Sequence, residues 1–329
     1  MSDEWAAMGK ATLRGVEIAI EEVNRDGGVS GRRIELVLED TQEANGGARA
    51  VNAYRNLRQR GVQWFIGPAG APGALSLAPI LVSDPIVMIT PTVGVRNFSD
   101  AGRNLFNSRG IDEQASAEMA RVAFSRGWKK AAILASQQPW EQAQGEAFGR
   151  EFKKLGGMIT AQEFPLPETN DFRTTILKLL AGNPEVIFLS NYNRVGVAAK
   201  QLAQSGYTGP RLTTVLDSSA LEIASGALNE AEFASFVGPT EIFRKKFREK
   251  FEVDPDLGAD TAYDATFALV QSLRETSGSD ASKVSERLSS IQFEGAAGHV
   301  SFDTSRIASR RLKRFIVKNG HIEEMIKEG

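Results

Sequence analysis

The chain contains no cysteine, which excludes disulfides, thiolate nucleophiles and any metal site built on sulfur. Histidine is almost absent too. His299 and His321 are the only two, too few for a histidine-centred zinc site or catalytic triad. Charge of neither sign dominates: 39 basic and 41 acidic residues are interspersed, for a formal net charge of −2. No basic stripe therefore offers a nucleic-acid surface, and no acidic tail marks disorder. No apolar run approaches the roughly 18 residues that a membrane span needs. The opening, MSDEWAAMGK, lacks the basic and apolar regions of a secretory signal. It fits a cytoplasmic protein if read as a true start, and says nothing if the chain is trimmed.

What is present is an ordinary globular composition, 42% hydrophobic and 24% charged over 329 residues, long enough for two domains with separate cores. Residues 8–40 organise the reading. Val16, Ala19, Ile20 and Val23 recur at helical spacing while Glu17, Glu21, Glu22 and Arg25 alternate with them, which predicts an amphipathic helix with its acids toward water. Asp26-Gly27-Gly28 stops it, and a turn at Ser30-Gly31 feeds a predicted strand over residues 34–38. Helix, stop, turn and strand make half of a βαβ unit, and the strand that should precede the helix is not in the chain.

Alternation continues. Helices are predicted over 46–60, 74–82, 113–126, 142–154, 171–180 and 195–205, with strands over 62–66, 86–89, 105–106, 131–134, 159–164, 186–189 and 212–215. The last third is different, with helices over 241–251, 261–275 and 283–290. A terminal β-hairpin is predicted to pair 299–302 with 312–318 around Thr304-Ser305. Strand and helix alternating through two blocks imply two doubly wound α/β lobes with parallel sheets.

Particular residues carry a family resemblance. The segment GVEIAIEEVNRDGGVSGRRIELVLED at 15–40 resembles the opening of type I periplasmic binding proteins of the leucine/isoleucine/valine-binding kind, substrate-binding components of ABC transporters. In order along the chain follow IGP at 66–68, MITP at 88–91, GWKKAAIL at 127–134, NDF at 170–172, NPEVIFLSNY at 183–192, AYDA at 262–265 and FEGAAGHVSFD at 293–303. The resemblance implies two lobes joined by three crossovers, near 107–112, 237–240 and 293–298, with a small ligand enclosed by hinge closure. Lobe one would comprise 1–110 and 240–295, and lobe two 111–239 and 296–329. It also implies that the first strand of lobe one is absent, since the chain begins inside the turn that follows that strand, at Ser2. From this we expect a longer natural product or a poorly stable lobe one, with a gap between residues 34–38 and 62–66.

In open α/β sheets ligands bind beyond the carboxyl ends of the strands. The glycine-rich loop 67–73 opens a helix whose amides can hold a carboxylate. Where amino-acid-binding relatives carry a Ser pair, this chain has Ala71-Pro72. In the loop 90–94, which contains Thr92, the position of a ligand-contacting Thr reads Gly94. These departures shift attention to Arg109, beside the first crossover, as a bidentate carboxylate anchor; the alternative is a solvated hinge arginine. In the second lobe Trp140 stands where relatives have a Tyr, Tyr192 matches a recurrent pocket tyrosine, and Asp217 matches the acid that holds an ammonium group. Met8 falls where some relatives have a pocket-edge Trp, and a core methionine fits equally.

Two functions follow from the resemblance: a periplasmic, monomeric solute-binding protein that delivers an amino acid or related carboxylate to ABC permease subunits, or a ligand-sensing module for amides or small acids. An enzyme is disfavoured. No G-x-G-x-x-G follows a strand, GPAGAPG at 67–73 lacks the Lys-Ser/Thr of a P-loop, and no nucleophile–base constellation is evident. No cofactor, metal or nucleic-acid partner is implied.

Overall fold

The computed structural model describes residues 6–43, 46–278 and 280–325. The chain divides into two compact units, Met1–Ile111 with Val237–Arg310 and Asp112–Phe236 with Arg311–Gly329. The third crossing thus lies after Arg310, not near 293–298. The reason is a staple within the first unit, where the buried Asp264 carboxylate accepts hydrogen bonds from the amides of Ala296 at 2.5 Å and Ala297 at 3.0 Å. The turn Ala296-Ala297 cannot leave that unit while those bonds hold. Residues 296–310, assigned above to lobe two, belong with lobe one.

The first unit is built on two long helices, Ala6–Arg25 and Ala259–Thr276. They approach closely because Gly15 has no side chain: a Cβ there would lie 2.0 Å from the Ala259 carbonyl oxygen. Ala11, Val16, Ile18, Ala19 and Val23 are buried along the first helix, whereas Ile20 is half-buried. Glu22, read as facing water, instead pairs with Lys246 at 2.6 Å and accepts from the Tyr263 hydroxyl at 2.6 Å. A parallel sheet of Trp64–Ile66, Val87–Thr90 and Leu105–Asn107 lies in that order. Val87, Ile89 and Phe106 pack there against Ala265, Ala268 and Leu269 of the second helix.

The predicted strand 34–38 joins no ladder. Its residues run extended, anchored at one end where Asn24 both donates to the Ile34 carbonyl and accepts from its amide. A cavity of about 550 Å³ separates this segment from Trp64–Ile66. The gap expected from the sequence is present; the turn read at Ser2 lies outside the described residues.

In the second unit a seven-stranded sheet among the described residues runs His321–Glu324, Leu312–Lys318, Glu232–Phe236, Arg211–Thr213, Val186–Ser190, Lys130–Ala135, Met158–Glu163. The last five are mutually parallel, and the first two join antiparallel. Val186–Ser190 is buried throughout, the continuous apolar run of a strand covered on both faces. On one face lie Phe148 and Phe152 of helix Pro139–Lys154, with Phe148 stacked on both Phe188 and Phe152. On the other, Ile187 and Leu189 pack on Ile176, Ala198 and Leu202.

The predicted terminal hairpin is not formed. Gly298–Ser301 pairs instead with Gln292–Gly295, and Leu312–Lys318 pairs with Glu232–Phe236 and with His321–Glu324. Asn319 and Gly320, both at positive φ, supply the two-residue turn that favours such a hairpin.

Candidate functional site

Three of the sequence-predicted residues follow three neighbouring strands of the second unit: Trp140 after Lys130–Ala135, Tyr192 after Val186–Ser190, and Asp217 after Arg211–Thr213. Each is half-buried. All lie at the carboxyl end of the sheet, where the alternating architecture opens its loops.

Local sequence explains how Trp140 is held. Pro139 fits the first turn of helix Pro139–Lys154 because its missing N–H would have had no intrahelical partner. The Gln138 side-chain oxygen caps that turn, accepting from the amides of Trp140 at 2.6 Å and Glu141 at 3.0 Å. The Ser136 hydroxyl donates to the buried Glu141 carboxylate. The indole Nε1 donates to Asp112 Oδ2 at 2.8 Å, and the ring meets Tyr192 edge-on with centroids 6.2 Å apart. An aromatic pair in this T-shaped arrangement is favourable in itself and offers an apolar wall with the indole N–H already satisfied.

Asp217 caps helix Ser218–Ala224, one carboxylate oxygen accepting from the Ala220 amide at 2.8 Å. The cap fixes the carboxylate at the strand end, and that helix packs on the turn Tyr192–Arg194. The group can therefore present negative charge beside the aromatic pair.

The first-unit candidates fall into two sets. Met8 and Thr92 converge on Gly258: a Cβ there would lie 2.5 Å from Thr92 Cγ2, 2.9 Å from Thr12 Oγ1 and 3.9 Å from Met8 Cγ. Gly258 also adopts φ 95°, so a side chain at that position is excluded on both counts. The Thr92 hydroxyl donates to the Ala69 carbonyl, tying the loop that contains buried Gly94 to the loop 67–73. Ala71 and Pro72, read from the sequence as the end of the loop 67–73, are instead the first residues of helix Ala71–Leu81. Two amides of that opening are already engaged, however, because Glu43 accepts from Gly70 at 3.2 Å and from Gly73 at 3.0 Å. A carboxylate does sit at this helix N-terminus, and it is the protein's own.

Arg109 is only 6% exposed, so the solvated-hinge alternative is corrected. Its backbone amide donates to Asn107 Oδ1 at 3.4 Å. Its positive charge acts on buried Asp260, whose carboxyl is pushed up by burial against the opposing pull of Arg310 and Arg109.

Sequence reading missed three polar residues. Asn191, 2% exposed, sits between Ser190 and Tyr192 with neither side-chain atom hydrogen-bonded. Gln138 Nε2 and, in the first unit, Thr12 Oγ1 are likewise buried without a partner. Each buried, unsatisfied group costs about 1–3 kcal/mol, and such groups often await a ligand or water. Nothing in the local pattern of Asn191 or Thr12 marks them; only burial does.

Among the described residues no group of acids and histidines could hold a metal ion. No helix there is long and apolar enough to cross a membrane.

A profile of the family described as periplasmic binding protein matches residues 1–315. Leu/Ile/Val-binding protein homolog 3 of Brucella melitensis is 26% identical over 204 residues, covering 61% of this chain and 55% of that protein. The chain thus spans little more than half the length of this curated relative. The crystal structure of a leucine-binding protein LivK from Thermotoga maritima is similar with a TM-score of 0.87 and 26% identity, covering 97% of this chain and 94% of the other. A solute-binding protein of an ABC transporter from R. palustris, solved with 4-hydroxybenzoate, superposes with a TM-score of 0.87 at 20% identity over 99% and 94% of the two chains; it attests the shared fold. These relatives are substrate-binding proteins, not enzymes. The chain belongs to the periplasmic binding protein family, of the type I, Leu/Ile/Val-binding-like kind.

Proposed function

We propose that this protein is the solute-binding component of an ABC importer, monomeric and periplasmic, and that its ligand is a small carboxylate with an apolar or aromatic body. The observation that carries this reading is the aromatic wall of Trp140 and Tyr192, held edge-on with Asp217 at the end of the neighbouring strand. An apolar body against two such rings gains roughly 25 cal/mol per Å² of area removed from water. Asp217 then favours a ligand that also carries an ammonium or a hydroxyl donor. For the carboxylate we assign Arg109, whose guanidinium matches a carboxylate bidentately. The amides of Gly70 and Gly73 are already engaged by Glu43, which leaves Ala71, Pro72, Thr92, Gly94 and Met8 as lining residues. Relatives that bind leucine and 4-hydroxybenzoate bracket the chemistry, and permease subunits in the membrane are the partners this role requires.

A thermal-shift screen of leucine, isoleucine, valine, phenylalanine, benzoate, 4-hydroxybenzoate and the corresponding amides tests it. A ligand at a hundredfold excess over its Kd stabilises by about 2.7 kcal/mol. We expect at least one acid to raise the melting temperature and its amide to fail. If amides act as well as acids, or no acid acts, the carboxylate assignment is wrong.

A further inference from the structure

The chain passes between its two units three times, after Ile111, after Phe236 and after Arg310. On the first-unit side each passage is rooted by hydrogen bonds a few residues away, and the roots meet. At the first, the Asn107 amide donates to the Arg306 carbonyl at 3.0 Å, and its carbonyl accepts from the Ala308 amide at 2.8 Å. The next residue, Ser108, donates its hydroxyl to the Thr261 carbonyl at 3.0 Å. Its own carbonyl accepts from Arg310 Nε at 3.0 Å and Nη2 at 2.9 Å. At the second passage the Thr240 amide donates to the Ala296 carbonyl at 2.8 Å. At the third, Arg310 is itself the root, since its guanidinium also reaches the Ala297 carbonyl at 3.0 Å and Asp264 Oδ2 at 3.3 Å.

Asp264 stands at the centre. Its carboxylate accepts from the Ala296 and Ala297 amides and pairs with Arg310. The turn that holds Thr240 and the guanidinium that holds Ser108 therefore rest on the same side chain. That side chain is fully buried on helix Ala259–Thr276, the long helix on which the first unit is built. The sequence provides for the close seating: Gly295 precedes the turn, and a Cβ there would lie 2.2 Å from Asp264 Oδ1. Buried polar networks reinforce themselves bond by bond, and removing one charged partner leaves the other buried and uncompensated. A network of this kind opens as a unit.

We propose that Asp264 is the common anchor of the three crossings, so that their first-unit ends open and hold together as one cooperative element. Every group in the anchor belongs to the first unit, so it operates whatever the protein binds. Bending is left to the short stretches between root and crossing, residues 109–111 and 237–239. Each contains a glycine, Gly110 at φ 97° and Gly238, and such loop positions absorb the backbone change of a hinge.

The test is amide hydrogen exchange on the full chain without ligand, wild type against Asp264→Asn, at about pH 7.5, where Asp264 is charged. Asparagine keeps the size, removes the charge opposite Arg310, and turns a donor toward one of the amides from which the carboxylate accepts. We expect exchange at Ala296 and Ala297 to quicken by about tenfold or more. Thr240, Asn107 and Ala308, whose amides Asp264 does not touch, should quicken by the same factor, and helix Ala281–Ser289 of the same unit should not. Faster exchange confined to Ala296 and Ala297, or reaching only one further root, overturns the proposal. An equal rise in helix Ala281–Ser289 also overturns it, since that is general loss of stability. Should the variant fail to fold, the wild type in rising sub-denaturing urea gives the reading. A single opening isotherm shared by Thr240, Asn107, Ala308, Ala296 and Ala297 supports the common anchor, and separate isotherms overturn it.

Discussion

Arg310 and Asp264 form an ion pair at 3.3 Å with their side chains 3% and 0% exposed. The guanidinium also donates to the carbonyls of Ser108 and Ala297, so one buried side chain ties together three segments of the first unit. Burial pushes the Asp264 carboxyl up to about 6 from an ordinary 3.8, against the pull of Arg310 and the Ala296 and Ala297 amides. Asp260 is raised for the same first reason. A carboxyl raised in the folded state binds its proton at a pH where the unfolded chain has already lost it. Its contribution to stability is therefore complete below about pH 4 and is lost as pH rises through about 6, amounting to at most about 3 kcal/mol for Asp264. Melting temperatures taken between pH 4 and 7.5 should show this decline, and Asp264→Asn should flatten it, since its side chain stays neutral at every pH and the charge opposite Arg310 is lost only in the range above about 6. An unchanged slope in the variant would rule Asp264 out as the titrating group.

Gly15 is a position where one methyl group should do clear harm. Its neighbour is backbone, the Ala259 carbonyl, which cannot rotate away as a side chain would. Overpacking of this kind costs about 1–3 kcal/mol or more, against a gain of about 1 kcal/mol in helix propensity. Gly15→Ala should lower the denaturation midpoint clearly, whereas Gly27→Ala, with nothing within 4 Å of the added carbon, should show only the cost of its positive φ. Equal losses at the two sites would mean that the helices part freely.

For Trp140 the expected loss is in binding, not in folding. The side chain is half-buried, and Trp140→Ala removes the wall that faces Tyr192. We expect about a 10–100-fold weaker Kd for any aromatic acid that binds, equivalent to about 1.4–2.8 kcal/mol, with little change in the ligand-free melting temperature. Isothermal titration measures the first and calorimetric melting the second. A large drop in stability with unaltered affinity would assign Trp140 to the core.

Asn191 gives the opposite signature. A buried carboxamide without partners is costly, so Asn191→Leu, similar in branching, should leave the ligand-free protein as stable or up to about 1 kcal/mol more so. If the carboxamide meets a polar group of the ligand, the same change weakens binding of 4-hydroxybenzoate more than of benzoate. Equal effects on the two acids would make Asn191 a structural residue.

Much of the architecture was legible because period and punctuation agree. Glycines after helices at Gly61, Gly127 and Gly206 take positive φ, and the intervening apolar runs became parallel strands. Long-range pairing was not legible. The strand Glu232–Phe236 escaped notice because its apolar positions are interrupted by Glu232, whose carboxylate is neutralised by Arg126 at 2.5 and 2.8 Å, a partner 106 residues away. The terminal hairpin was misassigned to Thr304-Ser305 although Asn319-Gly320, the stronger turn signal, stood between two apolar runs. At the candidate site the aromatic and acidic positions could be read from strand ends. Glu43, Asn191 and Thr12 could not, since what distinguishes them is burial and the partners they have or lack.

The order in which the second unit's sheet is assembled has a consequence for synthesis. Glu232–Phe236 is covered on its outer side by Leu312–Lys318, which is translated only after the intervening segment Val237–Arg310 of the other unit. At 5–20 residues per second the ribosome needs roughly 4–15 s to deliver that cover. Throughout that interval the nascent chain carries a bare, largely apolar strand edge of the kind that recruits other strands. Chaperone occupancy on the nascent chain should therefore rise once Phe236 has left the tunnel and fall when Lys318 follows it.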